Sequence, residues 1–183
     1  MNWTLPNLLS ICRMGLIPVF VVEVLDGSIS RALGVFALAG VSDALDGFIA
    51  RFWNQKSALG AYLDPMADKL LLMTAYVVLA IPNLHRGLVI PVWVTALVIT
   101  RDVVIVGVAL VLYLAVGVRR FPPSPISKVN TAAQVVAVVL VMVSALDSRL
   151  MVPATWAVYA VAGLTLFSGF DYILRANRMS AAK

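Results

Sequence analysis

Cysteine and histidine are almost missing from this chain, which holds one of each, Cys12 and His85. A lone cysteine excludes an internal disulfide and most cysteine metal sites. With no second imidazole beside it, His85 is not read as a ligand. Cys12 is expected to be a small apolar packing residue. Charge is scarce as well: 13% of residues are charged, 62% are hydrophobic and the mean hydropathy is +0.97, where a soluble domain carries about 25% charge. That balance excludes an ordinary soluble domain and implies an integral membrane protein. The opening MNWTLPNLL lacks the basic n-region and the small-residue cleavage site of a signal peptide, so the first apolar run is expected to be a retained span.

What is present divides into apolar runs of membrane-crossing length. Leu5 to Leu25, Arg31 to Arg51, Leu59 to Ile81, Val89 to Val116, Lys128 to Leu146 and Val152 to Leu174 predict six helices. They leave only short links: a turn at Asp26-Gly27-Ser28, a polar link at Phe52 to Ser57, an outer loop from Pro82 to Gly87 around His85, a proline-rich basic loop from Gly117 to Ser127, and a basic tail. The fold expected is all-α, one membrane domain over residues 1–183, without an internal repeat. Basic residues fall unevenly along it. Arg51 and Lys56, then Arg119, Arg120 and Lys128, then Arg175, Arg178 and Lys183 share one side, with Arg31, Arg86 and Arg149 on the other. The positive-inside rule puts the first side, both termini included, in the cytoplasm. These cations suit anionic lipid headgroups, and no nucleic-acid partner is expected.

Against this background the stretch from Asp43 to Asp68 stands out, because it holds four of the nine acidic residues. Asp43 and Asp46 are three apart, with Gly47 and Ala50 continuing the spacing, so one helix face carries two acids and then two small residues. Asp64 and Asp68 are four apart, with Gly60 one turn earlier. If the two segments run antiparallel about the turn from Asn54 to Ser57, the four carboxylates converge. Bare carboxylates repel in low dielectric, and divalent cations with hard oxygen preference, Mg²⁺, Mn²⁺ or Ca²⁺, would relieve them.

Spacing alone leaves two readings. Metal ions held by these acids could polarise phosphate oxygens and activate a hydroxyl, with Arg51 and Lys56 neutralising phosphate charge. Alternatively, the acids line a cation pathway in a non-enzymatic membrane protein. Pathway carboxylates more often sit at mid-depth beside broken helices, which favours phosphate chemistry. Arg101-Asp102, near the middle of the fourth run, is either a structural ion pair or part of a cavity wall.

The full pattern, Asp43-x2-Asp46-Gly47-x2-Ala50-Arg51-x8-Gly60-x3-Asp64-x3-Asp68, resembles at every fixed position the signature of the CDP-alcohol phosphatidyltransferase family. Pro6-Asn7-Leu8-Leu9-Ser10-x2-Arg13 resembles that family's first helix. The resemblance implies six transmembrane helices around an interfacial, cytoplasm-facing cavity, and transfer of a phosphatidyl group from CDP-diacylglycerol to an alcohol with release of CMP. It implies two divalent cations, Mg²⁺ or Mn²⁺, on Asp43, Asp46, Asp64 and Asp68, with Asp68 also the general base. Gly47 and Ala50 would accommodate the cytidine and Arg51 would contact the diphosphate; Gly60, Asn7 and Arg13 complete the CDP-diacylglycerol side. A homodimer in a bacterial inner membrane is expected on the same ground.

Trp53-Asn54-Gln55 and Asp64-Pro65-x-Ala67-Asp68-Lys69 look like the branch that uses glycerol-type acceptors. Arg101-Asp102 and Ser127-Lys128-x-Asn130-Thr131 resemble its cardiolipin-forming members, which implies phosphatidylglycerol as acceptor. Glycerol 3-phosphate is the alternative. A phosphodiester monoanion needs fewer cations than a dianionic phosphate, which agrees with Ala109 standing where the other members carry a further arginine. Arg101 and Lys128 are the expected acceptor contacts.

Overall fold

Long apolar runs without water must satisfy every backbone N–H and C=O internally, and the helix does this within one segment. The computed structural model describes the backbone of residues 5–52, 60–82, 89–116 and 125–181, and the side chains of 10–43, 66–82, 89–107 and 125–172. Helices are α1 (Leu5–Leu25), α2 (Ile29–Phe52), α3 (Gly60–Leu79), α4 (Val92–Val116), α5 (Pro125–Ser144) and α6 (Met151–Ala181), with a 3-10 turn at Ser148–Leu150. Among the described residues there is no strand.

α5 and α6 extend into stretches expected to be loop and tail, while the other helix limits shift by three residues or fewer. α5 begins at Pro125, inside the stretch expected to be loop, because proline lacks only an N–H that a first turn leaves unpaired. α6 continues past Leu174 to Ala181, since nothing in its Arg-Ala-Asn-Arg-Met-Ser-Ala ending breaks a helix. Cys12 is also exposed on α1 rather than packed inside. His85, Arg86, Lys56, Arg119, Arg120 and Lys183 lie outside the described residues.

The links that are described have local causes. Gly27 adopts a φ of 71°, a left-handed conformation that costs glycine least, and Ser28 N–H donates to Glu23 C=O at 2.9 Å. Arg31 then reaches back across the turn to Glu23 at 2.9 Å and to Ser28 Oγ at 2.6 Å. In the link from α5 to α6, Asp147 Oδ1 accepts from the Arg149 N–H at 3.0 Å and caps the 3-10 turn into α6.

α1 packs on α2 and α3, while α6 packs on α5 and α4; α3 meets α4, and both α2 and α3 meet α5. Ala39, Ala75 and Ala137 are fully buried between helices, and small residues of this kind let helix backbones approach in a membrane. Phe20 and Phe36 join α1 to α2 with ring centroids 5.8 Å apart. Tyr76, also buried, donates to the Gln134 carbonyl at 3.4 Å, while its own carbonyl accepts from Thr95 at 3.2 Å. One tyrosine thereby ties α3 to α5 and to α4.

Apolar side chains also cover the outside. Trp156 and Phe167 on α6 are each 72% exposed, a pattern suited to lipid rather than water. Among the described residues two stretches, Pro125–Ser144 and Ser148–Tyr172, suffice by length and composition to cross a membrane. Phe20→Ala should destabilise the bundle through the cavity it leaves between α1 and α2. A thermal midpoint in detergent equal to wild type would contradict this packing.

Candidate active site

A buried arginine in an apolar helix needs anions, and the helices around α1 supply them. Arg13 is 1% exposed. Its Nη1 lies 3.1 Å from Asp43 Oδ1 on α2 and donates a short hydrogen bond to Asp68 Oδ1 on α3. One nitrogen therefore bridges carboxylates that are 25 positions apart in sequence, and it brings three helices to one point. Asp43 and Asp68 keep the rest of their surface open, with side chains 48% and 44% exposed.

That open surface faces a cavity of about 210 Å³. Its walls come from α2 (Phe36, Ala39, Gly40, Asp43), α3 (Asp68, Lys69, Leu71, Leu72), α4 (Asp102) and α5 (Thr131, Gln134, Val135). Charged and apolar walls meet here, which is what a lipid with a phosphate headgroup requires.

Behind Asp102 lies a second buried charge group. Arg101 holds Asp102 Oδ1 at 2.6 Å and donates to Ser127 Oγ at 2.7 Å and to Ser168 Oγ. Arg101 and Asp102 are 7% and 8% exposed. The pair is thus both things the sequence allowed: an internal ion pair joining α4, α5 and α6, and, through Asp102, a piece of cavity wall. Lys69 Nζ stands 3.7 Å from Asp102 Oδ2.

Of the expected site residues, Asp43, Asp68 and Arg13 are brought together. Asp46 lies on α2 and Asp64 on α3, one helical turn from Asp43 and Asp68 respectively, so their backbones fit the shared faces expected of them; their side chains lie outside the described residues, as do those of Asn7, Gly47, Ala50, Arg51 and Gly60. Arg101 does not line the cavity, and Lys128 is exposed on the first turns of α5, away from its wall. Lys69 and Gln134 do line it, and sequence reasoning passed over both as site residues. The signals were there: Lys69 follows Asp68 directly, and Gln134 shares a buried face of α5 with Asn130, one turn earlier.

The donor set fits a hard divalent cation. Asp43 and Asp68 present carboxylate oxygens to a single positively charged nitrogen, and carboxylates are the ligands that Mg²⁺ and Mn²⁺ prefer. Among the described residues no three acidic, histidine or cysteine side chains cluster; Asp43 and Asp68 supply two of the carboxylates that such a site would need.

The family model for CDP-alcohol phosphatidyltransferase matches residues 3–167, from the start of α1 into α6. The chain belongs to the CDP-alcohol phosphatidyltransferase family. Among family relatives, it is 46% identical over 154 residues to the cardiolipin synthase (CMP-forming) of Rattus norvegicus and 44% identical to that of Homo sapiens, covering 74% of this chain and 49% of each relative. It therefore spans about half the length of those two proteins. It is also 37% identical over 182 residues to a probable phosphatidylglycerophosphate synthase of Mycobacterium tuberculosis, covering 95% of this chain and 82% of the relative.

In this family member, Arg13→Met would leave Asp43 and Asp68 facing each other without their shared cation. Both carboxylates are nearly half exposed, so water screens part of their repulsion, and the detergent-solubilised variant should melt below wild type in chelator. Added Mn²⁺ should raise its midpoint more than it raises that of wild type. Equal midpoints in chelator would show that the guanidinium does not hold these helices together.

Proposed function

We propose that the chain transfers the phosphatidyl group of CDP-diacylglycerol to phosphatidylglycerol, forming cardiolipin and CMP. The observation that carries this reading is the convergence of Asp43 and Asp68 on Arg13 at the edge of a half-apolar cavity, in a family member whose similar relatives are named cardiolipin synthase (CMP-forming).

The chemistry follows from the acids. The acceptor's hydroxyl oxygen forms a bond to the phosphatidyl phosphorus, the anhydride P–O bond breaks, and CMP departs with the bridging oxygen. The hydroxyl proton passes to the Asp68 carboxylate, whose surface on the cavity makes it the base. Asp43, Asp46, Asp64 and Asp68 would hold two divalent cations, Mg²⁺ or Mn²⁺. Such ions, when bound, offset negative charge on the transferring phosphoryl group. Gly47 and Ala50 leave room for cytidine, Gly60 does the same on α3, and Arg51 and Asn7 contact the nucleotide diphosphate side. Arg13 acts on this substrate by fixing the two carboxylates. Arg101 acts on the acceptor side by fixing Asp102, and Lys128 meets the acceptor's headgroup as it approaches.

All six helices cross the membrane in this reading, with the cavity opening toward the cytoplasm, in a bacterial inner membrane and as a homodimer. A water-soluble nucleotide and two lipid substrates can meet only where the site opens at the interface. Glycerol 3-phosphate as acceptor is the second reading, favoured by the 37% identity that runs through 95% of the chain to a probable phosphatidylglycerophosphate synthase.

Purified protein should release CMP from CDP-diacylglycerol with Mn²⁺ and phosphatidylglycerol, with cardiolipin as the lipid product. Product from glycerol 3-phosphate alone would move the assignment to the second reading, and no CMP with either acceptor would remove both. Asp68→Asn should lower kcat at least about 100-fold, the usual range for losing a general base, and retention of wild-type kcat would displace Asp68 from that role.

A further inference from the structure

Gln134 is a polar side chain where a polar side chain is costly. It is 1% exposed on α5 and lines the cavity beside Asp43 and Asp68. Its Nε2 has no hydrogen-bond partner. A buried donor left without an acceptor forfeits its hydration for nothing in return, so its presence points to an acceptor that arrives from the cavity.

Lys69 faces the same space from α3. Its Nζ is 3.7 Å from Asp102 Oδ2, too long for a hydrogen bond, while Asp102 Oδ1 is already held by Arg101 at 2.6 Å. Arg101 thus keeps Asp102 in place, and the lysine retains all three of its N–H donors. Lys69 is the one basic residue among the described residues that line the cavity. Leu72 and Val135 on the same walls are apolar, as a lipid's acyl chains require.

We propose that Lys69 and Gln134 form the cradle for the acceptor's phosphodiester: the ammonium pairs with its single negative charge, and the Gln134 amide donates to one of its oxygens. This rests on the phosphatidylglycerol reading and deepens it. One ammonium balances one phosphodiester charge. A dianionic phosphate monoester in the same place would leave one charge that Lys69 does not match. The cradle therefore selects for a diester, and Lys69 and Gln134 are specificity residues of the transfer.

The test compares wild type, Gln134→Leu and Lys69→Met as full-length detergent-purified proteins, supplied with CDP-diacylglycerol, Mn²⁺ and phosphatidylglycerol. Each variant should raise the KM for phosphatidylglycerol about tenfold or more, the loss expected of a hydrogen bond to a charged group, with the KM for CDP-diacylglycerol held within about twofold. Gln134→Leu should melt no lower than wild type, because it removes an unsatisfied donor. Lys69→Arg, which keeps the charge, should restore most of the acceptor affinity and serves if Lys69→Met does not fold. An unchanged phosphatidylglycerol KM in both variants, while wild type turns over, overturns the cradle alone. A shift confined to the CDP-diacylglycerol KM, or a lowered midpoint in Gln134→Leu, also overturns it by making these residues nucleotide contacts or packing. Wild type that leaves phosphatidylglycerol untouched overturns the acceptor reading and the cradle with it.

Discussion

One guanidinium in an apolar bundle sets the terms for the rest of the molecule. Arg13 is enclosed by helices and is balanced by Asp43 and Asp68. An unpaired charge in that setting costs several kcal/mol (~3–5), so α2 and α3 can approach α1 only in a register that brings both carboxylates to the same nitrogen. The reverse holds as well: two acids can share one cavity edge because a cation stands behind them. Because Asp46 and Asp64 are one turn away on the same helices, fixing Asp43 and Asp68 fixes where the rest of the acidic motif starts.

A similar device recurs deeper in the bundle. Arg101 joins Asp102 to Ser127 and Ser168, so α4, α5 and α6 are tied by polar contacts as α1, α2 and α3 are. Hydrophobic burial does little to pull helices together where lipid is as apolar as the side chains. Close-packed alanines and hydrogen bonds to charged groups must then specify the arrangement. The cavity lies between the two tied groups, floored by α2 and α3 on one side and by α4 and α5 on the other. Its mixed walls follow from that position. The charged groups that organise each half face inward, and the apolar faces of α2, α3 and α5 close the remainder.

Much of this was legible in the residues. Helix number and most helix limits followed from apolar length, and α1 fell at Leu5–Leu25 as expected. The spacing around Asp43 and Asp68 allowed them to meet if α2 and α3 ran antiparallel, and both reach Arg13. Less legible was what would stand between them. Arg13 looks, on its own helix, like one more basic residue of a nucleotide site; only the packing of α1 against both α2 and α3 makes it their common partner. The start of α5 at Pro125 was missed because a proline-rich run reads as loop, although a single proline is at home in a first turn. Gln134 escaped because its spacing from Asn130 marks a shared face of α5 without saying what that face meets. Its importance lies in which wall it joins, and that depends on how α5 is rotated against α2 and α3.

The central claim is that Asp43 and Asp68 belong to one cation-holding site and are not merely the counter-ions of a structural arginine. Anomalous diffraction from crystals grown with Mn²⁺ and CDP-diacylglycerol tests it most directly. The account predicts manganese peaks with oxygens of both Asp43 and Asp68 within about 2.0–2.6 Å, the coordination range of hard divalent ions. A map with no manganese at either carboxylate, and Arg13 still bridging them beside bound nucleotide, would contradict it.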